Sequence, residues 1–256
     1  MLQIVVLAMA AFVTATISGT IGMGGGILLL ATMFCFLPHG QAIPLHAAVQ
    51  IVSNGTRVLA LWKHVDWSTV ARFAIGAVPG GVAGAAILWS LGAPQQSEPY
   101  LKVLIGVYVL TTTFIPIPRG GPRPGHRFDF TFMGLLAGTA AVTVGAVGPL
   151  IAPLFARRAF VKEHLVATKA VCQMLLHVVK IPTFAALGTI EYGSFSVLIV
   201  VMTAMSIPGT LLGKRILARV SPAAFVMLFR IALTVAGLKV LIFDGVMKIA
   251  WFDWLP

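Results

Sequence analysis

Ser18-Gly19-Thr20-Ile21-Gly22-Met23-Gly24-Gly25-Gly26 interrupts an otherwise apolar run over 2–37. In a soluble chain such a cluster suggests a loop that cradles phosphate. Here apolar segments flank it on both sides. Glycines this dense break a helix. At bilayer depth, unwound backbone is tolerated only where protein or a watery cavity covers it. The stretch therefore reads as half of a substrate site inside a membrane protein.

Composition points the same way. Hydrophobic residues make up 59% of the 256 and charged residues 10%, and mean hydropathy is +0.99. A soluble domain carries about 25% charged residues. The expected class is an all-α polytopic membrane protein. The net charge of +11 reads as a positive-inside signature plus attraction to anionic lipid. The basic residues are spread over short loops without aromatic interleaving, which argues against nucleic acid as a partner. Cys35 and Cys172 sit in apolar segments and read as small hydrophobes. Residues 2–18 read as a retained segment, because no charged n-region precedes them and Ala8-Met9-Ala10 comes too early to end a leader.

Apolar segments run over 2–18, 25–37, 45–62, 68–91, 99–117, 129–143, 147–156, 163–187, 192–212 and 221–243. A full span needs about 20 residues, so 25–37 and 147–156 read as half-helices or return arms of re-entrant hairpins. The chain also repeats itself. Residues 21–26 align with 144–149, matching Gly22 to Gly145 and Gly25 to Gly148, and 48–54 align with 167–173. This predicts two repeats, 1–117 and 129–256, joined by a basic cytoplasmic linker at 118–128. Each is a glycine-broken re-entrant hairpin followed by three transmembrane helices. Lys63, the linker arginines, Arg157, Arg158, Lys162, Lys214, Arg215 and Arg219 fall in loops assigned to the cytoplasm; loops 38–44, 92–98 and 188–191 carry no Lys or Arg. Three crossings is an odd number, so the repeats are expected to have inverted topology, with both termini outside.

The acidic residues Asp66, Glu98, Asp129, Glu163, Glu191, Asp244 and Asp253 all fall in or beside loops. That argues against a carboxylate-based cation pump. Cations behave differently. Lys169, Gln173, His177 and Lys180 share one face of a helix, and Gln50, Asn54 and Arg57, with Ser53 beside them, form an equivalent stripe in the first half. Two such stripes would line a cavity rich in hydrogen-bond donors. Amides freed at Gly22, Gly24 and Gly25 and at Gly145 and Gly148 would add more. A small anion is the natural guest. Competing readings stay open for several of these residues. Arg57 and Lys180 sit where long side chains snorkel to the surface, Lys169 can pair with Glu163, and the amides can simply join helices. Gly76, Gly80, Gly81, Gly84, Gly209 and Gly213 read as close-packing positions.

The two glycine-break motifs, with Ala167-Thr168-Lys169 downstream, resemble the sulfite exporter TauE/SafE family, also called the toluene sulfonate uptake permease family. The resemblance covers nearly the whole chain. The second break departs from the glycine-rich pattern at Val147 and Pro149, so its backbone is expected to be less open. The resemblance implies transport of sulfite, sulfoacetate or other organosulfonates across the bacterial inner membrane. The expected protein is a secondary transporter, exporting by alternating access as one half rocks against the other. Lys169 would supply charge, while Gln50, Asn54, Gln173 and His177 orient the anion. Coupling to H⁺ through His177, coupling to Na⁺ on unwound carbonyls, and a homodimer all stay open. The rivals are a passive anion channel and a membrane subunit that docks a partner without transporting. No HExxH, CxxC or GxSxG occurs, so no enzyme activity, catalytic residue, metal or cofactor is expected.

Overall fold

A computed structural model describes residues 2–21, 24–90, 94–114, 128–145, 147–157, 162–188, 190–216 and 237–252, with 227, 230, 231, 234 and 235. Gly22, the basic linker 118–127, Arg158, Arg219 and most of the segment 221–243 lie outside these residues. The described residues are helical, joined by turns and short connections. The helices are α1 (Leu2–Ile21), α2 (Gly25–Met33), α3 (His39–Leu61), α4 (Trp67–Ser90), α5 (Pro94–Phe114), α6 (Asp129–Thr143), α7 (Gly148–Arg157), α8 (Lys162–Ala186) and α9 (Ser196–Ile216). A π-helical stretch, Lys239–Val246, runs into α10 (Met247–Phe252).

Among the described residues, four helical stretches are long and apolar enough to cross a bilayer: Leu2–Thr20, Trp67–Ser90, His164–Ala186 and Tyr192–Gly213. Large apolar side chains such as Val5, Met9, Val13, Ile75, Val78, Val82, Val197 and Val200 point outward. Such helices suit lipid, not water. This is a multi-pass membrane protein. At nine and ten residues, α2 and α7 are each about 15 Å long, too short for a hydrocarbon core about 30 Å thick.

Several boundaries differ from the sequence expectation. The first helix continues through Gly19 to Ile21, and Gly24 immediately precedes α2. Residues 39–44 are the start of α3 rather than a loop, with Pro44 carried inside the helix. The α5 helix likewise begins at Pro94, within the expected loop 92–98. Asp244 is a further correction. It lies inside the π-helical stretch, where it accepts from Lys239 at 2.7 Å. The i, i+5 spacing of the pair matches the π-helical period, which stacks the two side chains and lets the helix carry the acid.

Packing crosses between the halves at almost every helix. α1 lies along α9 and α6 along α4, α3 packs on α8, and α5 packs on the π-helical stretch. The contacts are close because glycines allow them. A Cβ at Gly209 or Gly213 would strike the backbone of Phe12 or Thr16, and one at Gly76 or Gly80 the backbone of Thr131 or Leu135. The same hydrogen bond appears in both pairs. Thr20 donates to the Gly213 carbonyl at 3.0 Å across α1 and α9, and Thr139 donates to the Gly80 carbonyl at 3.0 Å across α6 and α4. The two sequence halves are therefore intertwined.

Two apolar cores hold the assembly. One gathers Leu30, Met33, Ile43, Val142, Phe184 and Met202. The other gathers Phe73, Phe130, Ile151, Phe155 and Leu176, with Phe130 edge-on to Phe155 at 5.2 Å. α4 is capped by Asp66, whose carboxylate accepts from the Ser68 and Thr69 amides at 3.0 and 3.3 Å. The Asp66 amide in turn donates to Thr168 of α8 at 2.9 Å.

Candidate functional site

The two glycine breaks meet across the α3–α8 contact, and a small cavity lies between them. Ser18, Gly24, Gly26 and Ile27 line it from the first break and α2, and Val147 and Gly148 from the second break and α7. His46, Gln50 and Arg57 reach it from α3, and Gln173 and His177 from α8. Its free space is about 20 Å³, room for a water or two.

Glycine is required at the breaks for two separate reasons. Gly24 and Gly145 turn with φ of 92° and 94°, a left-handed backbone that side chains disfavour. Gly26 and Gly148 instead leave room for amides. A Cβ at Gly26 would sit 3.3 Å from Gln50 Nε2, and one at Gly148 would sit 3.1 Å from Gln173 Nε2. Each break thus seats the glutamine of its own half. Gly25 serves packing, because a Cβ there would run into the Thr14 carbonyl.

The interval from Gly25 to Gly148, which open α2 and α7, equals that from His39 to Lys162, which open α3 and α8. The same interval carries His46, Gln50, Asn54 and Arg57 onto Lys169, Gln173, His177 and Lys180. This register places 50 opposite 173, one helical turn from the sequence alignment of 50 with 169.

The buried cations have defined places. Lys180 is fully buried; its Nζ donates to the Gly145 carbonyl and lies 3.1 Å from His177 Nδ1. Arg57 is 6% exposed and makes only long contacts, at 3.4 Å, to the Ser53 carbonyl and hydroxyl. Neither side chain snorkels to the surface. Lys169 is 1% exposed and within electrostatic range of Arg57. Among the described residues lining the cavity there is no carboxylate.

Of the residues singled out from sequence, Gln50, Arg57, Gly24, Gly148, Gln173 and His177 share this cavity. Lys169 and Asn54 are buried on the same helices but do not line it. Gly145 takes part through its carbonyl, and Gly22 is outside the described residues. Sequence reasoning missed His46. Its Nε2 lies 2.8 Å from the Gly26 carbonyl and its ring stands edge-on to His177 at 5.4 Å. The signal was present: His46 lies one turn before Gln50 and completes the stripe. His39 was missed as well; it donates through Nε2 to the Thr143 carbonyl at the end of α6, at 2.9 Å.

Residues 7–240 match the family described as sulfite exporter TauE/SafE. The chain belongs to that family. TauE/SafE proteins are membrane transporters rather than enzymes. A relative in Cupriavidus necator, named "Probable sulfite/organosulfonate exporter TauE", is 24% identical over 214 residues, covering 81% of this chain and 80% of that protein. In a TauE/SafE chain, a donor-lined cavity at paired helix breaks is the natural place to look for the transported solute.

Proposed function

We propose that this protein exports a small sulfur-containing anion, sulfite or an organosulfonate such as sulfoacetate, across the bacterial inner membrane by alternating access. One observation carries the reading: a buried cavity at the two glycine breaks offers Arg57, the Gln50 and Gln173 amides and two histidines, with no carboxylate among its described lining residues. Burying such cations costs free energy that a bound anion offsets. The N-termini of α2 and α7 add partial positive charge from both sides. Lys169 and Lys180 act from behind the lining, and Asn54 supports the stripe. The name of the Cupriavidus necator relative supports sulfite or an organosulfonate as cargo.

An inverted repeat accounts for the packing, since exchanging the halves turns α1 on α9 into α6 on α4 and leaves α3 on α8 unchanged. The moving bodies in this reading are mixed. Each joins the hairpin of one half to a long helix of the other, and they rock about the α3–α8 contact. Free space of about 20 Å³ is too little for a hydrated anion, so the walls must move during passage. That favours a transporter over an open channel. Purified protein in proteoliposomes should show saturable sulfite or sulfoacetate flux with counterflow. Flux without counterflow would leave a channel, and no flux of either anion from well-folded protein would remove the assignment.

A further inference from the structure

We propose that His46, through its Nδ1, is where one proton enters the site together with the anion. The proposal rests on the anion-transport reading above and adds the coupling ion and the atom that holds it. His46 Nε2 faces the Gly26 carbonyl at 2.8 Å. A carbonyl only accepts, so that nitrogen carries the ring proton and Nδ1 presents a lone pair. Nδ1 is buried with no hydrogen-bond partner. The ring belongs to a cavity whose other side chains suit an acceptor-only guest: Arg57 donates, and the Gln50 and Gln173 amides can turn their N–H groups inward. His46 cannot adapt in that way, because the Gly26 carbonyl holds its only N–H.

A fully ionised oxyanion has no hydrogen to offer Nδ1, and two acceptors facing each other away from bulk water repel. One proton removes the conflict. It either sits on Nδ1 and is donated to an anion oxygen, or sits on the anion as O–H and is donated to Nδ1. Both descriptions contain the same atoms and the same charge: the ionised anion plus one H⁺ taken from the compartment facing the site.

His177 is the less suitable acceptor. Its Nδ1 lies 3.1 Å from the Lys180 ammonium, so that lone pair is already in use. Arg57 on its own helix and His177 on α8 share the cavity with His46, and Lys180 on α8 acts on it electrostatically. α1 and α2 carry no titratable side chain and α9 none before Lys214, while α5, which also packs on α3, brings Lys102 and Tyr108. Among the described residues lining the cavity there is no carboxylate to answer a proton on His46, so the anion answers it. The two ligands therefore bind as a pair, each raising the affinity of the other.

The test is a proton count. Purified full-length protein is titrated with sulfite and with sulfoacetate at pH 8, calorimetrically, in buffers of different ionisation enthalpy. Wild type should take up about one proton per bound anion, as paired binding requires. His46→Gln, whose amide can keep the bond to Gly26, should bind more weakly with uptake near zero, and His46→Asn should match it. His177→Gln should weaken binding yet keep the proton. Anion binding by wild type without proton uptake would overturn the proposal even if neither His46 variant folds, as would full uptake in His46→Gln. If neither anion binds to folded protein, the transport reading fails and the proton site fails with it.

Discussion

Lys180 Nζ donates to the carbonyl oxygen of Gly145, so a cation on α8 is fixed to backbone freed at the break between α6 and α7. Gly145 has φ of 94°, and its carbonyl lies beyond the reach of the regular helix ladder. The lysine thus serves two ends, satisfying the break and turning His177 through its contact with Nδ1. Lys180→Met keeps most of the length of the side chain but removes both bonds. We expect the orphaned carbonyl to cost about 1–3 kcal/mol, partly offset because a buried charge also disappears. Sulfite or sulfoacetate flux should fall by tenfold or more while the protein still purifies. Wild-type flux in Lys180→Met would separate Lys180 from transport.

Arg57 faces the cavity with only long contacts to Ser53, so its guanidinium is held loosely by the protein itself. Arg57→Gln should weaken anion binding by about 1.5–3 kcal/mol, the range for a hydrogen bond to a charged group, or roughly ten- to a hundredfold. Thermal stability without ligand should hold or rise, because a buried cation has gone. Binding isotherms and melting curves on the same preparation decide it. Unchanged affinity would show that the guanidinium does not touch the anion.

Gly25 and Gly26 are neighbours with opposite tolerances. A Cβ at Gly25 would collide with the Thr14 backbone, which cannot move without parting α1 from α2, whereas one at Gly26 would press a flexible glutamine amide at 3.3 Å. Gly25→Ala should fail to yield folded protein. Gly26→Ala should fold and bind the anion several-fold more weakly, since Gln50 must shift by a few tenths of an ångström. Size-exclusion profiles followed by a binding assay would check both, and equal behaviour of the two variants would contradict this division of labour.

The membrane class and the first break were legible because both are written in composition, an apolar chain with one dense glycine cluster, and the second break was legible as its repeat. The stripe on α8 was legible because helical spacing makes 169, 173, 177 and 180 neighbours. His46 stands in the first turn of the expected segment 45–62, but its ties to the Gly26 carbonyl and to the His177 ring come only from the fold. The role of Lys180 was hidden as well. Its partner is a backbone carbonyl, and no side-chain pattern announces one. The glycines of α4 and α9 indicated close packing but not with what. Thr131 and Leu135, or Phe12 and Thr16, lie far away in sequence, and only the fold pairs them.

His39 offers the test of how the first half supports the second break. Its Nε2 donates to the Thr143 carbonyl at 2.9 Å, in the last turn of α6, where helix carbonyls lack intrahelical partners. The ring is buried and stacks against Phe34 at 6.2 Å, so its shape matters as well as its hydrogen bond. His39→Phe would keep most of the packing and leave that carbonyl without its donor, at an expected cost of about 1–3 kcal/mol. The loss should appear as a lower melting temperature and as faster amide exchange at the end of α6, with no direct loss of anion affinity in the fraction that stays folded. His39→Gln, which can still donate, should recover part of the stability. A variant that kept its stability but lost anion binding would mean that His39 acts on the anion site itself rather than on the break behind it.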